Sequence, residues 1–367
     1  MAATSRTLSY NALLTTTADK IHKSGAVQDA ISSSNPTFNE LMSKGKIKKK
    51  VVGGDQIRVG LMYEHNSTID SYTDYDQIDV APQDGITTMY VPWAQYGGAV
   101  SISGIQRFKN MGKEAIADLL KEKIVQTTAG WAERLNKDLW EGDSDNFTAT
   151  HPFTGNAGKN IISIPLYIQA LGSTSGGGAT TADHDYDIGN IDQSAETWWM
   201  NQCDDGEGIT TYALLKKYMS NSYNNCAQGP GGFPDLIMAD QATYELYEAS
   251  MQNQIQYSFK DKASAGFESM AYKSAKLMWD GYVPDYELGT NGKLVTGSAL
   301  TNGSLVFINT STMSLYVGKD HDFKPRGFQT PVDQDASTSL YLAYLQLVCD
   351  NRRKNGAIFD IAPGTAS

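Results

Sequence analysis

Residues Asn66 to Asn110 read NSTIDSYTDYDQIDVAPQDGITTMYVPWAQYGGAVSISGIQRFKN, and this stretch is the most informative part of the sequence. It alternates like β structure, yet its few apolar side chains lie among aspartates. Pro82–Gly85 predicts a turn, after which Ile86 to Val91 forms a second extended run. A two-stranded ribbon of this kind is marginally stable alone in water. Its strands therefore need a partner surface, and the simplest source is another copy of the same chain.

The segment before this stretch also has the period-two pattern of a strand. From Gln56 to His65, one predicted face carries Ile57, Val59, Leu61 and Tyr63, and the other carries Arg58, Met62 and Glu64. The run around Ser101–Gly104 is predicted to be a further strand. Together these segments form a protruding β-arm with flanking strands.

A long amphipathic helix is predicted directly after the arm, from about 111 to 141. Its apolar residues recur at spacings of four, with one gap of seven, which keeps them on one stripe: Ile116, Leu120, Ile124, Trp131, Leu135 and Leu139. Asn110 is a plausible N-cap and Gly142 a plausible stop.

This order of parts resembles the major capsid protein of tailed bacteriophages, whose HK-ninety-seven fold is shared by herpesvirus floor domains and encapsulin shells. Several segments carry the resemblance in chain order: Gly53-Gly54, the acidic tyrosine-rich arm, Val91-Pro92-Trp93, Ser101–Gly104, the long helix, Pro234–Met238, Leu305–Thr310, Pro331–Asp335 and Cys349–Arg353.

The resemblance implies an α+β fold of the HK-ninety-seven type. Its expected parts are an N-terminal arm (1–50), an extended β-hairpin arm or E-loop with flanking strands (51–104), a peripheral domain (105–205) with a spine helix at 111–141 and a loop-rich insertion at 143–205, an axial domain (206–330), and C-terminal strands returning to the peripheral domain (331–367). Within the insertion, residues 161 to 171 are expected to form a short apolar strand or helix. The sequence also predicts an N-cap at Asp240 before a helix over 242–256, and a buried final strand at 340–349, which is apolar at nearly every position.

Composition agrees with a protein that makes large contacts. Of the 367 residues, 19% are charged, which is below the roughly 25% typical of soluble domains, while tyrosine is plentiful. Tyrosine is enriched at protein interfaces, where lysine and glutamate are depleted. A β-rich monomer with many turns would have a similar composition, so composition alone does not distinguish it from a protein with large interfaces.

The net charge of −11 argues against tight binding of nucleic acid over a whole inner wall, because such binding needs clustered lysine and arginine. The densest basic run is Lys44–Lys50. We expect it to be a solvated, flexible connector, with contact to packaged nucleic acid or to a neighbouring subunit as the alternative.

Cysteine usage and the N-terminal sequence favour a reducing cytosol. Cys203, Cys226 and Cys349 are few and odd in number and form no CxxC pair, so no disulfide is expected. The N-terminus lacks the pattern of a signal peptide, and no apolar run approaches the ~20 residues of a membrane span.

Motifs of enzymes are absent or broken. Asp183, Asp185 and Asp187 have the spacing that opens a calcium loop, but Ile188 stands where glycine is needed and Ser194 where the closing glutamate belongs. The five histidines show no ligand spacing, and there is no GxSxG elbow, GxGxxG loop or phosphate loop. We expect no enzyme, cofactor or metal site. The Trp198-Trp199 pair is predicted to fill a core or an interface rather than to stack on a sugar.

The resulting hypothesis is a structural major capsid protein that assembles through hexamers and pentamers into an icosahedral shell around the phage genome. The implied partners are further copies of the chain, a separate scaffolding protein, a portal and double-stranded DNA held weakly; a decoration protein is also compatible. Assembly is expected in the host cytoplasm, and the final location is the virion. The alternatives are an encapsulin-type nanocompartment shell, a carbohydrate-binding tail module and, least favoured, a hydrolase using acidic residues of the insertion.

The arm's charge suggests where it docks. Between Asn66 and Trp93 there are five aspartates and no lysine or arginine. An arm this acidic should dock on a basic surface, unless its aspartates only keep it soluble. The candidate contact residues are Asp70, Asp74, Asp76, Asp79 and Asp84 on the arm and Lys121, Arg134, Lys137, Arg352, Arg353 and Lys354 elsewhere. Some capsid proteins of this type cross-link an arm lysine to a neighbour's asparagine, and the missing lysine predicts no such bond here.

Overall fold

The fold is seen in a computed structural model that describes residues 36–44, 46–51, 53–78, 80–82, 84–109, 113–140, 160–168, 188–191, 196–206, 209, 211–229, 231–251, 270–283, 287–288, 294–295, 303–319, 321–330 and 334–361. The helices in these ranges are α1 (Pro36–Lys44), α2 (Gly104–Lys109), α3 (Lys113–Trp140), α4 (Ile164–Tyr167), α5 (Tyr212–Ala227) and α6 (Gln241–Met251), with 3-10 turns at Thr197–Trp199 and Arg352–Lys354.

The strands occur mainly in runs between these helices, as in an α+β protein. They are β1 (Lys46–Val51), β2 (Gln56–Met62), β3 (Ile86–Pro92), β4 (Ala94–Ser103), β5 (Gln202–Asp205), β6 (Leu236–Ala239), β7 (Met270–Tyr272), β8 (Ala275–Trp279), β9 (Glu287–Leu288), β10 (Leu294–Val295), β11 (Gly303–Ile308), β12 (Met313–Gly318), β13 (Lys324–Pro325), β14 (Ala336–Cys349) and β15 (Gly356–Ile361).

A five-stranded sheet is organised around the long strand β14. Its order is β1-β12-β14-β13, with β4 also paired to β14. The first part of β14 runs antiparallel to β4, from Ala336 opposite Ser103 to Leu345 opposite Ala94, and its last part runs antiparallel to β12. Residues 345 to 349 are all buried, which confirms the predicted buried C-terminal strand.

Most of the basic run Lys44–Lys50 is part of this sheet rather than a flexible connector, because Lys46–Val51 forms β1, while Lys44 is the last residue of α1. Strand β1 lies parallel to β12, with Lys46 opposite Ser314 and Lys49 opposite Val317. The expectation was wrong because strand β12, about 270 residues further along the chain, pairs with the backbone of this segment. The lysine side chains themselves give no sequence signal for a strand.

The spine helix α3 packs against this sheet through the predicted apolar stripe. Leu120, Ile124, Trp131, Leu135 and Leu139 are all buried. Gly98 on β4 allows the close approach, because a Cβ there would lie 2.9 Å from Nε1 of Trp131. The stripe is therefore confirmed over these positions, whereas the side chain of Ile116 and the caps at Asn110 and Gly142 lie outside the described residues.

A six-stranded sheet forms the second centre of the fold, with the order β5-β15-β11-β6-β8-β7. Helices α5 and α6 cover it and share a buried cluster with it, which includes Leu215, Tyr244, Leu305 and Phe307. The predicted N-cap at Asp240 is confirmed, since its Oδ2 accepts hydrogen bonds from the amides of Ala242 (2.9 Å) and Thr243 (3.3 Å).

Strand pairing crosses the domain boundaries expected from the sequence. Strand β12 lies within the expected axial segment 206–330 but pairs with β14, and β15 lies within the expected C-terminal segment 331–367 but pairs with β11. Strand β5, at the end of the expected insertion, pairs with β15. Strand pairing joins segments far apart in the chain, and local sequence patterns do not specify those partners.

Parts of the insertion 143–205 belong to the core rather than to surface loops. Residues 161 to 168 are all buried and include the short helix α4, in agreement with the expected apolar segment. Ile188 and Ile191 are also buried. All three cysteines are buried and none of them forms a disulfide, and burial raises the pKa of the Cys226 and Cys349 thiols to about 12.

Candidate assembly surface: the β-arm, its base and the basic residues

The base of the arm is a regular antiparallel hairpin. Strands β2 and β3 pair from Gln56 opposite Pro92 to Met62 opposite Ile86. One face of the hairpin is buried through Ile57 and Leu61 on β2 and Met89 and Val91 on β3, so the predicted apolar face of β2 is confirmed. The hairpin base is therefore part of the subunit's own core.

Beyond the hairpin, the alternating stretch does not form the first predicted strand, whereas the second predicted run, Ile86 to Val91, is confirmed as β3. The described residues between Tyr63 and Gly85 contain only turns and irregular backbone, with no strand pairing. The sequence predicted that two strands within 66–91 pair with each other, whereas the partner of β3 is β2, which precedes this stretch. Period-two patterning requires one buried face, and here neither face is covered.

This outer segment exposes apolar side chains to solvent. Ile69 is 81% exposed, Tyr75 is 99% exposed and Val80 is 89% exposed. Tyr72 and Ile78 are also largely exposed. Exposed apolar groups clustered on one protrusion are typical of a binding surface rather than of a monomer's exterior. We call this outer segment, residues 66–84, the arm tip.

Local hydrogen bonds shape the arm tip without a sheet. Asn66 Oδ1 accepts from the amide and hydroxyl of Thr68, at 2.9 and 2.6 Å. Asp76 Oδ2 accepts from the amide and hydroxyl of Thr73, both at 2.9 Å. The bond from the Thr73 amide, followed by that from its hydroxyl, lowers the pKa of Asp76.

The acidic candidates on the arm tip are accessible. Asp70, Asp74, Asp76 and Asp84 are all exposed, and Asp79 lies outside the described residues. A negatively charged surface is thus presented together with exposed tyrosines. Whether another subunit uses it stays a prediction.

The basic candidates divide into exposed and buried groups. On α3, Lys121, Arg134 and Lys137 are exposed, and Arg134 Nε already forms an ion pair of 2.9 Å with Asp138. Asp138 also accepts a hydrogen bond of 2.8 Å from the Tyr96 hydroxyl. Arg353 is also exposed, so four of the basic candidates lie at the surface of the subunit.

Arg352 is not a surface residue, and its nomination as a docking candidate was wrong. Its side chain is fully buried, with Nε donating to the Tyr167 carbonyl at 2.8 Å and one terminal nitrogen donating to Asn201 Oδ1 at 3.3 Å. Its guanidinium lies over the Trp199 ring, 5.7 Å from the centroid. Desolvation lowers its pKa to about 10.

Lys354 completes this correction. It is buried and donates to the carbonyls of Gln228 and Gly229, at 2.7 and 2.9 Å. The C-terminal basic triplet therefore contributes one exposed charge, Arg353, and two internal hydrogen-bond donors. Three adjacent basic residues predict a solvent-exposed segment, and the neighbouring sequence does not indicate which of them face the core.

Two contacts at the base of the arm had no counterpart in the sequence predictions. Trp198 stacks on Tyr63, and the turn at Ile188–Ile191 contacts Met89 and Tyr90. The Gly189-Asn190 pair favours a tight turn and was the available signal. The prediction that the tryptophan pair fills a core or an interface is confirmed for Trp199, which is buried, whereas Trp198 is half-buried and packs against the core.

Other kinds of site receive no support within the described ranges. These ranges hold no cluster of three or more histidine, cysteine, aspartate or glutamate residues suited to a metal ion. Asp183, Asp185 and Asp187 lie outside them. Among the helices described, none is both long and apolar enough to span a membrane.

Comparison with known proteins gives matches only at the level of structure. No protein-family model matches the chain, and no curated protein matches it in sequence. A chain of the capsid asymmetric unit of cyanophage A-1(L) matches with a TM-score of 0.62 and 11% identity, over 86% of this chain and 90% of that chain. The capsid of a native GTA particle matches with a TM-score of 0.50 and 10% identity, over 87% of this chain and 89% of that chain.

Proposed function

We propose that this chain, which has the fold of phage capsid proteins, is the structural subunit of an icosahedral shell that encloses a phage genome. The observation that carries the proposal is the arm tip. It presents exposed apolar and tyrosine side chains that its own subunit leaves uncovered. A second subunit is the partner that would cover this surface in every copy.

Closed symmetry makes such contacts repeat. Hexamers and pentamers would place equivalent surfaces around each axis, so that one arm per subunit engages a neighbour in a head-to-tail manner. Each contact can be weak, since linked contacts add through multivalency. The wide exposure of the arm tip fits this role, because the segment can adapt to neighbours at slightly different angles.

Charge gives the arm a preferred docking surface. The exposed aspartates of the arm tip are complementary to Lys121, Lys137 and Arg353, and Arg134 can contribute beyond its pair with Asp138. Exposed pairs are worth about 0.2–1 kcal/mol each, so these contacts would orient the arm and depend on salt.

The remaining parts of the proposal follow from the shell. The chain acts as a structural protein rather than an enzyme, assembles in the host cytoplasm and resides in the virion. Its partners are other copies, a separate scaffolding protein and a portal, with a decoration protein as an additional candidate. Its net charge of −11 suits weak, non-specific contact with the enclosed double-stranded DNA. The encapsulin and carbohydrate-binding alternatives gain no specific observation among the described residues.

The test is assembly of the purified chain. Light scattering and electron microscopy across a concentration series, with and without a scaffolding partner, should reveal hollow shells or ring-shaped capsomers. A chain that stays monomeric under all of these conditions contradicts the proposal.

A further inference from the structure

A tight turn from the insertion lies against the base of the arm. Ile188 and Ile191 form an isolated antiparallel bridge, and the two residues between them have positive φ angles, 73° for Gly189 and 62° for Asn190. Positive φ at both central positions is the signature of a type I′ turn. Both isoleucines are buried, so the turn is anchored in the core.

This turn extends the arm's hairpin on its outer edge. The Tyr90 amide on β3 donates to the Gly189 carbonyl over 3.2 Å. A Cβ at Gly189 would lie 2.1 Å from Cγ of Met89, which is fully buried. Only glycine therefore permits both this backbone angle and this contact.

The tryptophan pair holds the opposite strand of the hairpin. Trp198 stacks on Tyr63 with ring centroids 5.2 Å apart and an interplanar angle of 24°. Its neighbour Trp199 is buried under Arg352. The pair thus connects a core residue to the first residue after β2.

Tyr63 marks the neck of the arm, where the hairpin gives way to the arm tip. Its amide donates to the Gly85 carbonyl at 3.0 Å, and its hydroxyl donates to the Asp84 carbonyl at 2.5 Å. A Cβ at Gly85 would lie 2.8 Å from the Glu64 carbonyl oxygen, so glycine lets the two chains approach closely. Desolvation, and then the charge of Asp84, raises the pKa of Tyr63.

We propose that residues 188–191 and 196–199 form a brace that fixes the direction of the arm. The turn holds β3 and Trp198 holds the neck, so the hairpin base is rigid and only the arm tip adapts. The assembly role of the brace rests on the proposed shell function, whereas its mechanical role concerns the single subunit. Gly189 and Trp198 are then positioning residues for the arm, and this part of the insertion has a defined purpose.

The brace can be tested by amide hydrogen exchange on the full-length unassembled subunit. Gly189→Ala and Trp198→Ala should each raise the exchange rates of the Tyr63 and Tyr90 amides by about 5-fold or more, as expected for loss of one contact of this size. Amides of the six-stranded sheet, such as Met238, should exchange as in the wild type.

Two matched variants separate the brace from general damage. Gly229→Ala introduces the same backbone strain at a φ of 81° with nothing within 4 Å of the added Cβ. Trp279→Ala removes another partly exposed tryptophan, located at the end of β8. Neither should change exchange at Tyr63 or Tyr90. If Gly189→Ala unfolds, Trp198→Ala decides the question.

Wild-type exchange at both amides in the brace variants would overturn the inference. Faster exchange together with slower assembly at equal subunit concentration would support both its mechanical and its assembly role. Faster exchange with an unchanged assembly rate would overturn the assembly role. If the wild-type chain never assembles, the proposed function fails, while the exchange comparison still reports on the brace.

Discussion

The Thr37 hydroxyl donates a hydrogen bond of 2.6 Å to Asp280 Oδ2, although 243 residues separate the two in sequence. Thr37 lies on α1, and Asp280 follows β8 of the six-stranded sheet. Trp140, the last residue of the spine helix, donates through Nε1 to the same hydroxyl at 3.1 Å and to Asp280 Oδ2 at 3.3 Å. Three separate parts of the chain therefore meet at one buried carboxylate.

A second link reinforces this junction. Lys276 on β8 forms an ion pair of 2.5 Å with Glu40 on α1. Asp280 is buried and also accepts from the Tyr282 amide at 3.1 Å and from Asn136 Nδ2 at 3.3 Å. The junction fixes the N-terminal helix, the end of the spine and the second sheet relative to one another.

Removing this junction should destabilise the subunit. Thr37→Val keeps the shape but loses the hydroxyl, and we expect a loss of about 1–2 kcal/mol in the free energy of unfolding. Asp280→Ala leaves several buried donors without an acceptor and should cost about 3 kcal/mol. Urea denaturation measures both. Thr88→Val, at an exposed position of β3, is the control, and its free energy of unfolding should stay within about 0.5 kcal/mol of the wild type. If Thr37→Val changes the free energy of unfolding no more than Thr88→Val does, the role assigned to Thr37 is contradicted.

Adjacent arginines should differ sharply in their contribution to stability. Arg352→Ala removes a fully buried side chain, opens a cavity beside Trp199 and leaves the Tyr167 carbonyl without a donor, so we expect a loss of about 3 kcal/mol or more. Arg353→Ala changes an exposed residue and should be nearly neutral. Thermal or urea unfolding of the two variants side by side provides the comparison, and similar stabilities would refute the buried role of Arg352.

Removal of the arm tip should separate folding from assembly. Replacing residues 67–83 with a short Gly-Ser linker spares the pair between Tyr63 and Gly85 and the buried Met89, so the subunit should keep its circular dichroism spectrum and melting temperature. It should fail to form shells by sedimentation and electron microscopy. Loss of the fold would show that the arm tip belongs to the core of its own subunit.

Charge reversal on the arm tests the docking surface. Asp70→Lys combined with Asp74→Lys avoids Asp76, whose carboxylate holds Thr73, and should slow assembly by removing attraction to the basic face of the spine helix. Raising the salt concentration should slow assembly of the wild type, because exposed charges are screened beyond ~8–10 Å. Light scattering gives the rates. Partial rescue by Lys121→Glu with Lys137→Glu is expected, and a wild-type rate for the reversed arm would exclude electrostatic docking.

The buried carboxylate of Asp204 predicts a specific pH dependence. Burial raises its pKa, against hydrogen bonds from Ser222 and Asn221 that lower it. The folded state therefore retains the proton above the unfolded pKa of about 3.9, and Asp204 costs stability progressively as the pH rises from there through the folded pKa. Asp204→Asn should gain stability relative to the wild type over this window and then hold a constant difference. Urea denaturation across the pH range measures this difference, with Asp74→Asn as the single-charge control. If the difference in the free energy of unfolding between Asp204→Asn and the wild type does not change with pH, the assignment is wrong.

The sequence was sufficient for features that depend on neighbouring residues. The stripe from Leu120 to Leu139, the cap at Asp240 and the alternating face of β2 were all predicted correctly, because helix period, capping chemistry and strand period are local properties. The likeness to phage capsid folds could also be inferred from the order of such segments. These features needed no knowledge of which segments meet in space.

The tertiary structure alone decided the features that depend on distant partners. The basic run at Lys46–Val51 becomes a strand because β12 lies beside it, and Arg352 is buried because Tyr167, Trp199 and Asn201 surround it. Likewise, the stretch beyond Tyr63 alternates like a strand yet stays unpaired, since no face of it is buried within the subunit. Backbone pairing and desolvation depend on contacts between residues far apart in the chain, and local sequence patterns do not specify those contacts.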